Sequence, residues 1–191
     1  MSEKRRKRNL RIIRYILYKE TQLDFKDKTW SFIGSFVGIG FIAYLQAIFL
    51  EEADNIFLIG SFGASSVLVF GAVASPLAQP RNLIGGHLIS AFIGVSIYFL
   101  IPDPIFISAP LAVSLSIVTM QFTKTLHPPG GATALIAVIG SESIKGLGYW
   151  FLVFPVLSGT LILFLFALLT NNLTKKRQYP NSKRFHRFIK R

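Results

Sequence analysis

Leu126-His127-Pro128-Pro129-Gly130-Gly131-Ala132-Thr133-Ala134-Leu135 stands between two strongly apolar segments, and its reading decides the fold. Two successive prolines remove two backbone donors and bias His127 away from helix. Two glycines then allow a tight path into a new helix, with Thr133 in its first turn. A helix start of this kind presents free N–H groups and a positive dipole end. In a membrane, such irregular backbone survives only where protein or a polar cavity surrounds it. The stretch therefore reads as a helix start in or near a membrane.

Composition supports the membrane. The chain has 191 residues, is 51% hydrophobic and only 16% charged, with mean hydropathy +0.50. A soluble domain of this size carries more charge and shorter apolar runs. The formal charge of +12 is confined to the ends. Ten Lys/Arg lie in residues 1–28 and eight in 175–191, leaving Arg81, Lys124 and Lys145 between them. The chain has no cysteine, so disulfide and thiolate chemistry are excluded. The basic start lacks the apolar core of a cleavable signal peptide.

Six apolar segments follow from the charge pattern. Residues 1–29 form a basic, amphipathic extension suited to an anionic lipid surface; with a membrane segment directly after it, nucleic acid is not the expected partner. Residues 30–50, from Trp30 to Leu50, are uncharged and long enough to cross about 30 Å of hydrocarbon. Glu51, Glu52 and Asp54 make an acidic loop. Ile56 to Ala74 carries the small polar patch Ser61-Phe62-Gly63-Ala64-Ser65-Ser66. Ser75-Pro76-Leu77-Ala78-Gln79-Pro80-Arg81-Asn82 breaks it, and Gly85 to Ile101 is a third span with Gly86 and His87 near its start. Ile105 to Phe122 is a fourth. Ala132 to Gly140 is short, crossing about half the core. Leu147 to Thr170 is the last, bent at Pro155, and 171–191 is a basic tail.

The chain also repeats itself. Gly63-Ala64-Ser65-Ser66-Val67-Leu68-Val69-Phe70-Gly71 aligns with Gly131-Ala132-Thr133-Ala134-Leu135-Ile136-Ala137-Val138-Ile139-Gly140 with one gap. The expected fold is an all-α membrane protein of six hydrophobic helical elements in two inverted three-helix repeats, 30–101 and 105–170, within one transmembrane domain, 30–170. The middle helices are short, begin at Gly63 and Gly131, and meet near the midplane. Charge favours six crossings over re-entrant middle elements, because six put Arg81, Lys124 and both basic tails on the cytoplasmic side.

No Asp or Glu lies inside any of these spans, so the site has no membrane carboxylate of the kind that carries cations. What remains is hydroxyls, glycine-rich helix starts and bases: Ser61, Gly63, Ser65, Ser66, Gly130, Gly131 and Thr133, with Arg81, Lys124, His87 and His127 nearby. Helix starts, hydroxyls and positive charge suit a small anion or a polar neutral solute. His127 reads as a brace for its turn. Two histidines without carboxylate or thiol company exclude a metal site, and no nucleophile–base pair shows in the spacing, so neither an enzyme nor a cofactor is expected. Two alternatives remain: a membrane scaffold working through its basic tails, and an intramembrane enzyme using His87 and His127. Self-association into a homo-oligomer stays open.

The His127-Pro128-Pro129-Gly130-Gly131-Ala132-Thr133 stretch resembles the signature of the HPP family of integral membrane proteins. Phe62-Gly63-Ala64-Ser65-Ser66, residues 75–82 with Gly85-Gly86-His87, and Asn171-Asn172-Leu173 with Tyr179-Pro180 are similar to its other characteristic stretches, over about residues 29–180. The resemblance implies a transporter or channel for a small nitrite-like anion, since plastid and cyanobacterial members are described as nitrite transporters. The expected location is a bacterial plasma membrane, multi-pass, with both termini cytoplasmic.

Overall fold

A computed structural model describes residues 24–49, 59–174 and 177–181. The amphipathic helix expected in the basic extension, the acidic loop at Glu51, Glu52 and Asp54, and most of the basic tail lie outside these residues. The described chain is helical, without strands. Its elements are α1 (Phe25–Phe49), α2 (Gly60–Ser66) continuing as a π-helical turn (Val67–Gly71), a 3₁₀ turn (Pro76–Ala78), α3 (Pro80–Leu100), α4 (Ile105–Phe122), α5 (Pro128–Ile139), α6 (Glu142–Gly146), and α7 (Ser158–Asn171) led in by a π-type turn, Leu152–Leu157.

Among the described residues, four helices are long and apolar enough to cross a membrane: Phe25–Ile48, Pro80–Leu100, Ile105–Phe122 and Leu152–Asn171. Gly60–Gly71 and Pro128–Ile139 are apolar but shorter. With 12 residues, α5 is ~18 Å long against ~30 Å of hydrocarbon. Phe32, Phe36, Phe106, Phe122 and Leu169 are exposed, while Phe62, Phe70, Phe151 and Leu163 are fully buried. Apolar outside and apolar inside is the pattern of helices solvated by lipid.

Two helical starts differ from expectation for one reason. The third span begins at Pro80 and not Gly85, and α5 begins at Pro128 and not Gly131. Proline needs no N–H in a first turn and its φ is already helical. The prolines read as breakers thus open the helices, and only the residues before them, Gln79 and His127, are extended. Pro76 opens the 3₁₀ turn in the same way, with Ser75 Oγ accepting from the Leu77 N–H. In α2 the helix begins at Gly60 and Gly63 lies within it. His87 accordingly lies well inside α3. The bend expected at Pro155 falls where the backbone leaves helical geometry, at Phe154.

One end of the bundle is tied together by side chains on carbonyls. Ser31 and Arg177 both donate to Phe70 O, Asn171 Nδ2 to Val69 O at 3.0 Å, and Tyr179 Oη to Ala78 O at 2.8 Å. Arg81 donates to Thr123 O and Asn82 to Leu126 O, each at 2.7 Å. Burial raises the Tyr179 hydroxyl far above its ordinary range, so it stays a neutral donor. The starts of α1, α3 and α5 and the ends of α2, α4 and α7 therefore gather at this end, with Lys26, Lys28, Arg81, Lys124 and Arg177. Asp103 and the Glu142–Lys145 pair, 3.2 Å apart, lie at the other. Consequently α2 runs toward this end and α5 away from it. Helices α3 and α5 touch closely: a Cβ on Gly94 would lie 2.5 Å from Ala134 O.

Candidate functional site

Ser65 is fully buried in α2, and helical spacing directs it, with buried Ser61, toward α3 and α5. His87 comes from α3, Thr133 from the second turn of α5, and His127 from the extended residue before Pro128. All four have no exposed surface. Ser65 Oγ lies 2.7 Å from His87 Nε2 and 2.9 Å from His127 Nε2. His87 Nδ1 lies 2.7 Å from Thr133 Oγ1, and His127 Nδ1 lies 2.9 Å from Leu77 O. The imidazole centroids are 5.0 Å apart at 60°, and the Phe62 ring meets His87 edge-on at 5.6 Å.

A single carbonyl orders this chain. Leu77 O only accepts, so His127 Nδ1 carries a hydrogen. With His127 neutral, its Nε2 accepts from the Ser65 hydroxyl. Ser65 then accepts from His87 Nε2–H, and His87 Nδ1 accepts from the Thr133 hydroxyl. Every hydrogen bond points the same way, from Thr133 to Leu77.

The backbone around His127 explains how it reaches so far in. Thr125 N–H donates to Met120 O at 2.9 Å, and Lys124 takes a left-handed φ of 57° to close the turn. A Cβ on Gly86 would lie 2.5 Å from His127 Cβ, and one on Gly130 would lie 2.7 Å from Ser90 Oγ. Only glycine at these two positions lets the loop sit against α3.

The remaining candidates are dispersed. Ser61 Oγ is buried with no hydrogen-bond partner, one turn from Ser65. Ser66 is buried, and its hydroxyl donates to Phe62 O at 3.0 Å. Gly63 borders a groove between α1 and α2 with Ser31 and Ser35; Gly131 borders another with Val113 and Leu135. Gly130 serves packing. Arg81 and Lys124 are exposed at the bundle end. The two short helices do not meet start to start. Because they run in opposite senses, α2 meets the beginning of α5 with its middle, at Ser65. The start of α5 also has few donors to offer: Pro128 and Pro129 have none, and Gly130 N–H is taken by His127 O at 2.8 Å.

Sequence reasoning named each member of the chain but not the chain. It treated His127 as a brace and joined His87 to it only in the enzyme alternative. The available signal was the alignment of Ser65 with Thr133, since both aligned hydroxyls hold the same imidazole. Among the described residues no group of three or more His, Cys, Asp or Glu comes together, and two imidazoles fall short of the usual set of metal ligands.

Comparison with known proteins places the chain. The family model described as HPP, transmembrane region, matches residues 20–180. Two proteins of Dictyostelium discoideum, each described as a transmembrane protein, are 48% identical over 160 residues, covering 82% of this chain and 51% and 56% of their own lengths. The chain thus spans about half the length of these relatives. No solved structure matches it. The chain is a multi-pass integral membrane protein that belongs to the HPP transmembrane family.

Proposed function

We propose that this protein is a transporter or channel for a small anion, nitrite-like in size and charge, and not an enzyme. One observation carries the reading: Ser65, His87, His127 and Thr133 form a fully buried polar chain in a bundle whose long spans hold one carboxylate, Asp27, in the first turn of α1 at the bundle end and none beside the chain. Polar groups inside a membrane bundle are costly and mark substrate paths. Hydroxyls and imidazole N–H groups are donors, suited to replace the hydration of an anion. Ser61, with its unpaired Oγ, extends the donors toward the Asp103 end. The basic residues at the opposite end raise local anion concentration.

The finer architecture follows the same reading. Six hydrophobic elements in two inverted repeats, 30–101 and 105–170, are supported by the opposite senses of α2 and α5, and by Ser65 and Thr133 each holding one nitrogen of His87. Cytoplasmic termini are supported by the basic residues gathered at one end, where the tails bind anionic lipid. The relatives come from Dictyostelium, so they lend nothing to the bacterial membrane expected from the sequence. A second reading, an intramembrane enzyme, is favoured by one feature: a hydroxyl between two imidazoles suits a nucleophile and its base.

Proteoliposomes loaded with nitrite, nitrate, formate or chloride test this. Nitrite efflux well above that of protein-free vesicles is expected, with formate next. Equal, background-level flux of all four would end the anion reading.

A further inference from the structure

We propose that the chain running from Pro129 O to Leu77 O is a one-proton site, which shuttles a single proton between His87 and His127 through Ser65, and that this proton accompanies the transported anion. The chain has five junctions. They are Pro129 O with Thr133 Oγ1 at 3.4 Å, Thr133 Oγ1 with His87 Nδ1 at 2.7 Å, His87 Nε2 with Ser65 Oγ at 2.7 Å, Ser65 Oγ with His127 Nε2 at 2.9 Å, and His127 Nδ1 with Leu77 O at 2.9 Å. Each junction needs one hydrogen. The four neutral side chains bring one each, so one junction is empty. The least costly place for it is the longest, between Thr133 and Pro129.

One added proton fills every junction. If His87 carries the charge, its Nδ1–H donates to Thr133, whose hydroxyl turns to Pro129 O. Ser65 still donates to His127 and His127 to Leu77 O. If His127 carries the charge, its Nε2–H donates to Ser65, Ser65 donates to His87 Nε2, and the two ends stay as they are. These two forms interconvert when His87 Nε2 passes its proton to Ser65 Oγ while Ser65 passes its own to His127 Nε2. Two O–H or N–H bonds break, two form, and the charge moves from one ring to the other. No polar atom of the chain is unpaired in either form.

The loaded form lacks a counter-charge. From α2 the chain meets Ser65 and the Phe62 ring, from α4 the Met120 sulfur, from α5 Thr133, and from the 3₁₀ turn the Leu77 carbonyl. Leu152–Asn171 holds no titratable residue. On α3, Arg81 adds only positive charge, at the bundle end. Tyr179, on the Ala78 carbonyl beside Leu77, stays a neutral donor, and Asp27 of α1 sits at the bundle end beside Arg177, so the two histidines are the groups of the chain that take up a proton. A buried cation without a partner is costly, so the proton is held best together with an anion, and Ser61 Oγ, one turn from Ser65, is a free donor for it. The coupling rests on the transport reading above; the proton site stands without it.

Two measurements on the full chain test the pair. Protein labelled with ¹⁵N-histidine is titrated in nanodiscs from about pH 8 to about pH 4. The ring signals of His87 and His127 are expected to move together as one single-proton event, apart from those of His186. Ser65→Ala separates them, and Thr133→Val, which removes the acceptor at the far end, weakens proton uptake about tenfold without separating them. Two independent one-proton titrations in the unaltered protein would overturn the proposal, as would no uptake at all. In proteoliposomes with internal pyranine, an inward nitrite gradient is expected to acidify the lumen beyond protein-free vesicles, and Ser65→Ala to abolish this. Joint titration with nitrite flux but no acidification would overturn the coupling. Joint titration without any nitrite flux would overturn the transport reading and leave the proton site standing.

Discussion

Ser65→Ala removes one oxygen and strands two nitrogens. In the native chain Ser65 Oγ accepts from His87 and donates to His127, at 2.7 and 2.9 Å. After truncation both nitrogens remain buried, and the Leu77 and Thr133 contacts hold their rings in place. Leaving a buried polar group unpaired costs about 1–3 kcal/mol in water-soluble proteins. Side-chain hydrogen bonds in membrane bundles average about 0.6 kcal/mol, with a ceiling near 1.7, because the unfolded helices also find partners. Two complete losses in a fully buried setting place Ser65→Ala at roughly 2 kcal/mol. The neighbouring Ser66→Ala is the internal comparison. Its hydroxyl only bonds back to Phe62 O one turn earlier, so its loss costs about 0.5 kcal/mol or less. Reversible unfolding in mixed micelles measures both. A double-mutant cycle with His87→Gln isolates the Ser65–His87 term. Equal stabilities for the two alanine variants, or a cycle without coupling, would refute the chain as drawn.

Gly94→Ala is expected to destabilise by about 1–3 kcal/mol, since the new methyl meets the Ala134 carbonyl, which is backbone and cannot yield. Gly40→Ala, with open space around it, is expected to stabilise by about 0.5–1 kcal/mol through helix propensity, so the two shifts in unfolding midpoint have opposite sign. Arg177→Ala strips the carbonyl of Phe70 of a charged donor, and increased proteolysis near residues 72–79 with an intact core is the expected readout. The chain has no cysteine, so single-cysteine labelling needs no background removal. Lys26→Cys and Lys124→Cys should react from one side of the membrane and Asp103→Cys and Glu142→Cys from the other, and any mixing of these pairs contradicts the end-to-end arrangement.

Much of the fold is legible in uncharged length. The long spans are set by runs that only lipid or protein interior accepts, and those runs are plain in the sequence. Helix starts are less legible, because proline signals both the end of one helix and the first turn of the next. Pro80 and Pro128 were read as the former and act as the latter. The candidate residues were legible one by one, from the scarcity of polar groups in apolar spans. Their assembly was not, because it depends on the relative height of α2 and α5. That height is set by packing: Gly86 and Gly130 admit the loop, Lys124 closes it, and His127 arrives level with the middle of α2. Nothing in local spacing encodes this contact, which joins residues 62 positions apart.

The measurement that bears most directly on the account is nitrite uptake into proteoliposomes by the unaltered chain beside Thr133→Val and His87→Gln, each first shown to fold. The account predicts robust uptake by the unaltered protein, reduced about tenfold or more in both variants, while Ser66→Ala is unaffected. Uptake that is unchanged in folded Thr133→Val and His87→Gln protein would contradict it, because the anion would then be crossing somewhere other than the buried chain.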